Sequence, residues 1–69
     1  MNSFKVISEY ELMGKRIVVL SKKRTLEEYN TKHIVCNGKE YSYLLTHNDY
    51  QIIVDSDKTL LGEEIYFTK

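Results

Sequence analysis

His33 and Cys36 lie three residues apart, and His47 is the only other histidine. Imidazole and thiol are side chains suited to nucleophilic catalysis and to zinc. The spacing works against both uses. The surrounding residues read as a strand, and an odd separation on a strand sends two side chains to opposite faces. A structural zinc site needs about four ligands, and beyond His47 only scattered carboxylates remain. A Cys–His nucleophile needs a base in contact with the thiol and a third group to orient that base, and neither is identifiable. Cys36 reads instead as a small buried apolar residue. Asp49, Asp55 and Asp57 suggest calcium, but the helix–loop–helix calcium site holds its ligands in a fixed frame that this stretch lacks. Short Asp and Ser side chains capping their own turn account for it better. Gly14-Lys15 and Gly38-Lys39 lack the G-x-x-x-x-G-K-[ST] frame of a phosphate loop. No catalytic residue, metal or cofactor is therefore expected.

Two groups of residues suit binding better than catalysis. Lys22, Lys23 and Arg24 are consecutive, with Lys15 and Arg16 in a preceding turn, and such a concentration could contact phosphates. Six tyrosines, at 10, 29, 41, 43, 50 and 66, offer rings on which bases could stack. Tyr41 and Tyr43 share one face of their strand and form the best pair. Against this stands the charge: ten basic and ten acidic side chains give a net charge of zero, whereas nucleic-acid binders usually carry a positive excess. Tyrosine is also a good strand residue with a polar tip for a barrel rim. Protein recognition, with tyrosine and arginine as anchors, is the expected role. Weak RNA or DNA binding through Lys22, Lys23, Arg24, Tyr41 and Tyr43 is the alternative. A sheet edge could also accept a partner strand or a second copy of the chain, and zero net charge removes the repulsion that keeps copies apart.

The elements that position these residues are strands. Pro and Ala are absent, and Ile, Val, Tyr, Thr and Leu together supply 29 of the 69 residues. Residues 3–13 alternate, with Phe4, Val6, Tyr10 and Leu12 on one parity; Ser8 interrupts the apolar face and Ile7 the polar one. A turn is expected at Gly14-Lys15, followed by a buried strand over residues 16–22 around Ile17-Val18-Val19-Leu20. Within the polar stretch 22–32, Thr25 and Glu28 have the spacing of a helical capping box, with at most one helical turn behind it, and a plain exposed loop fits the stretch equally well. Asn37-Gly38 predicts a type I′ hairpin, because both of its central residues need positive φ. A two-residue loop there sets Cys36 opposite Lys39, Val35 opposite Glu40 and Ile34 opposite Tyr41. Ile34, Cys36, Tyr41, Tyr43 and Leu45 then share a face. Residues 47–49 make another turn, residues 50–54 a strand, and residues 55–58 an Asx-rich turn. Residues 59–61 read as a brief extended piece, and residues 64–68 as the last strand. About six short strands with turns between them predict an all-β fold, a sandwich or a small barrel; a small closed or partly open antiparallel barrel occupying residues 1–69 as one domain is preferred, because closure hides the edges of so short a chain.

A single cysteine allows no intramolecular disulfide, which fits a reducing compartment. No apolar run approaches the roughly 18 residues that a membrane span needs, and residues 1–5 are polar apart from Met1 and Phe4. A cytoplasmic, soluble protein is expected.

The order of segments resembles the β-barrel second domain of translational GTPases such as elongation factor Tu. Phe4 to Leu12, then Gly14-Lys15-Arg16-Ile17-Val18-Val19, is similar to that domain's opening strand, glycine turn and aliphatic strand. Leu60-Leu61-Gly62-Glu63-Glu64-Ile65 is similar to its closing piece. The family commonly has a second glycine where this chain has Arg16. The resemblance implies a barrel, and in the family that barrel touches the tRNA end and translation partners beside a GTPase domain that this chain lacks. It carries no functional residue onto this sequence.

Overall fold

The computed structural model describes residues 3–69. Six strands close into an antiparallel barrel: β1 (Ser3–Leu12), β2 (Lys15–Leu20), β3 (His33–Cys36), β4 (Lys39–Leu45), β5 (Gln51–Val54) and β6 (Glu64–Thr68). The order around the barrel is β1-β2-β5-β4-β3-β6, with β6 returning to β1. Each strand therefore has a neighbour on both sides, and closure removes the exposed edges that so short a chain would otherwise present. That also closes the strand-addition route to a partner.

Alternation places the core. Val18 and Leu20 of β2, Ile34 and Cys36 of β3, Ile52 and Val54 of β5, and Ile65 of β6 point inward and are buried, together with Phe4 and Val6 of β1. Phe67 meets Phe4 and Tyr43 edge-on, with ring centroids 5.1 and 5.2 Å apart, the geometry that sets a positive ring edge on a negative face.

The Asn37-Gly38 hairpin has the expected register, from Cys36 opposite Lys39 to Ile34 opposite Tyr41. Both turn residues have positive φ, 52° and 78°. The first hairpin differs by one residue. Leu12 pairs with Lys15, so the turn is Met13-Gly14, with φ of 53° and 80°, and not Gly14-Lys15. The twist of the flanking strands selects a turn with two left-handed residues, and Met13 accepts that conformation although its type disfavours it.

A larger correction concerns β1. A bulge falls between Val6, opposite Leu20, and Ser8, opposite Val19. One extra residue inverts the parity beyond it, so Glu9 lies opposite inward-facing Val18. Tyr10 and Leu12, expected beside Phe4 and Val6, are exposed on the outer wall. The double interruption at Ile7 and Ser8 was the mark of this bulge.

Two connections close the barrel ends. Residues 21–32 cross one end and contain α1 (Leu26–Tyr29), one turn with the full capping box. The Thr25 amide and hydroxyl donate to Glu28 Oε1 at 2.6 and 2.8 Å, and Glu28 is buried. Residues 55–63 cover the other end. They include no strand; Leu60 is driven into the core, and Ser56 rather than an aspartate caps the turn, accepting from the Lys58 amide at 3.1 Å. Glu9 clasps this connection. Its Oε1 accepts from the Leu60 amide at 2.8 Å, while Oε2 accepts from Arg16 Nη1 at 3.1 Å and from the Thr59 hydroxyl. Among the described residues no helix is long and apolar enough to cross a membrane.

Candidate functional site

The residues singled out for nucleic-acid contact do not form one surface. Lys22 sits over the Phe4 ring at 4.9 Å. Lys23 Nζ lies 3.6 Å from Asp49. Arg24 is buried; its Nη2 donates to the Asn48 carbonyl at 3.1 Å and lies 3.8 Å from the Asp49 carboxylate, with Tyr29 covering the guanidinium. A guanidinium held in this way ties α1 to the turn after β4. Tyr41 and Tyr43 do share a face, but it is the inner one, packed against the core. The Tyr43 hydroxyl is 2.6 Å from that of Thr31 and 3.2 Å from the Glu28 and Thr31 carbonyls, anchoring the end of α1. The Lys39 ammonium stands 5.2 Å from the Tyr41 ring. Both rings are thus committed to packing and capping.

Cys36 faces the core and His33 the opposite side of β3. Burial raises the Cys36 thiol pKa above its ordinary value, and the nearby Glu63 carboxylate adds to the rise, so the thiol stays protonated at neutral pH. Among the described residues no group of three or more His, Cys, Asp or Glu side chains is placed to hold a metal ion.

The outer wall of β1, β2, β5 and β4 carries a row of apolar side chains. Tyr10 lies opposite Ile17, Ile17 opposite Ile53, and Ile53 opposite Leu44. These four residues make one continuous row across four strands. Tyr10 is 48% exposed and Leu44 62%, while Ile17 and Ile53 between them are half-buried. Tyr10 leans across β2 toward the Val19–Gln51 flank, its hydroxyl 3.4 Å from Gln51 Nε2 on β5. Beyond the row, toward the barrel end that Leu60 fills, lie Leu12, Lys15 and Asp55. Lys15, Leu44, Ile53 and Asp55 rim an open hollow of about 200 Å³. Among the described residues neither Lys15 nor Asp55 has an ion-pair partner within 4.0 Å. The other flank carries Ser8, Val19 and Gln51.

The bulge creates this surface. Without the extra residue Tyr10 would point into the barrel and Glu9 out of it. Ile17 and Ile53 were legible only as members of strongly apolar strands, and which of their residues faced outward depends on register. Leu44 alternates with inward Tyr43, but nothing local marks it as part of a row, because its partner Ile53 is chosen by strand order.

No family model, characterised protein or solved structure matches the chain. The resemblance to the translational GTPase barrel accordingly rests on the segments quoted above.

Proposed function

We propose that this chain is a non-enzymatic protein-binding module whose docking face is the outer wall of β1, β2, β5 and β4. The observation that carries the reading is the Tyr10–Ile17–Ile53–Leu44 row. Isolated exposed apolar residues are ordinary, but a contiguous exposed patch marks an interaction surface. An aromatic ring with a polar tip beside aliphatic residues, rimmed by charge, is the composition of an interface centre. The wall is an intact sheet face, so recognition is by side chains and not by strand addition. Protein is favoured over nucleic acid because Lys23 and Arg24 are engaged by Asp49 and because Tyr41 and Tyr43 pack inward. A cytoplasmic setting is part of the proposal, supported by a lone, buried cysteine.

The test is site-resolved photocrosslinking in cells, with a photoreactive phenylalanine analogue at position 44 or at exposed position 40 on the other half of β4. A discrete protein adduct from 44, absent from 40 and abolished by Ile53→Lys, is expected. A folded protein that yields no adduct from 44 refutes the docking face. RNA adducts in place of protein adducts establish the nucleic-acid reading.

A further inference from the structure

The outer wall has a symmetry that selects a partner. β2 and β5 are its two central strands and run antiparallel, with Ile17 opposite Ile53 in the middle. Consider a two-fold axis lying in the plane of an interface, parallel to these strands and midway between them. Rotation about it exchanges β2 with β5 and β1 with β4, and leaves each residue at its own height along the axis. Ile17 then meets Ile53 of the second copy, while Tyr10 and Leu44, on the strands either side of the seam, flank that contact. At the charged flank, Lys15 of each copy meets Asp55 of the other.

We propose that the occupant of this face is a second copy of the same chain, joined in a two-fold dimer about the β2–β5 seam. This rests on the docking-face reading and names its partner. Three observations carry it. The apolar Ile17–Ile53 pair at the seam maps onto itself, as an isologous interface requires. The two charges beside it are of opposite sign and interchange under the rotation, so attraction occurs twice and no like charges meet. Both are without ion-pair partners within the chain, among the described residues. The net charge of zero adds no long-range repulsion between copies.

The experiment is sedimentation equilibrium on the full chain from micromolar to millimolar concentration, at low salt. The wild-type protein is expected to approach twice its 8.2 kDa mass. Lys15→Glu alone sets a carboxylate against Asp55 of the second copy, and Asp55→Lys alone sets an ammonium against Lys15. Each should raise the dimer dissociation constant roughly tenfold or more. Both substitutions are on the surface and should leave the circular dichroism unchanged. The decisive sample is an equimolar mixture of the two variants. The introduced glutamate of one chain then meets the introduced lysine of the other, while the remaining Asp55 and Lys15 stay matched, so the mixture should recover dimers that neither variant forms alone. A wild-type protein that stays monomeric at millimolar concentration overturns the dimer. So does a dimer indifferent to both reversals, or one that the mixture fails to restore. The docking-face reading falls separately, only when crosslinking from position 44 also gives no protein adduct. A monomeric protein with a discrete adduct to a different protein leaves that reading standing and removes self-association alone.

Discussion

Replacing Glu9 with Gln tests how the barrel is closed at the end that Leu60 fills. Glu9 has the inward parity that the bulge confers, and its carboxylate receives three donors: the Leu60 amide, the Thr59 hydroxyl and Arg16 Nη1. Gln keeps the shape but offers one acceptor and one donor. Turned either way, its NH₂ faces a donor, from the Leu60 amide on one side or from Arg16 and Thr59 on the other. At least one charge-assisted bond is lost, at roughly 1.5–3 kcal/mol, and the largely buried Arg16 guanidinium is left without its counter-charge. A destabilisation of about 2 kcal/mol is expected. In a domain of this size 1 kcal/mol shifts Tm by about 4–8 °C, so Tm should fall by roughly 8–16 °C in thermal unfolding at pH 7 followed by circular dichroism. The effect has a pH signature. Burial pushes the Glu9 carboxyl pKa up, but the Thr59 hydroxyl, the Leu60 amide and Arg16 together outweigh it, and the pKa lies below the ordinary 4.5. In the acid range beneath 4.5 the unfolded chain therefore binds more protons than the folded one. The stabilisation from Glu9 is fully present above pH 4.5 and disappears as pH falls through the folded value. Glu9→Gln should flatten the acid limb of the stability profile by up to one proton. A Tm within about 3 °C of wild type, with an unchanged acid limb, would refute the clasp.

The two left-handed turns make a matched pair of further predictions. Met13 has φ of 53° and is 93% exposed, so Met13→Asn removes backbone strain without losing packing and should stabilise by about 0.5–1 kcal/mol; a lowered urea midpoint would argue against the Met13-Gly14 turn. Around Gly38 a Cβ would meet nothing within 4 Å, so the cost of Gly38→Val comes from φ of +78° alone, roughly 1–2 kcal/mol or somewhat more for a β-branched residue. An unchanged urea midpoint in that variant would count against the type I′ geometry.

Much of the architecture is local in origin. Asn37-Gly38 specifies its turn because few other residue pairs tolerate two successive positive φ values, and the register of β3 on β4 follows at once. Thr25 and Glu28 specify their helical turn through bonds that span three residues. Period-two alternation assigns Ile34, Ile52, Val54 and Ile65 to one side of their strands, and the number of such strands points to a sandwich or a barrel. These features depend on neighbours in the chain, and a sequence displays its neighbours.

What the tertiary structure alone decides concerns partners distant in the chain. The parity of Tyr10 hangs on a bulge whose position is set by pairing with β2. The core place of Leu60 depends on Glu9, 51 residues away. Arg24 leaves the expected basic patch because Asn48 and Asp49 arrive beside it. The apolar row exists only because barrel closure places β5 between β2 and β4. None of these contacts has a local signature, since each is fixed by the free energy of the closed barrel as a whole, in which apolar burial and paired backbone outweigh what any short segment prefers.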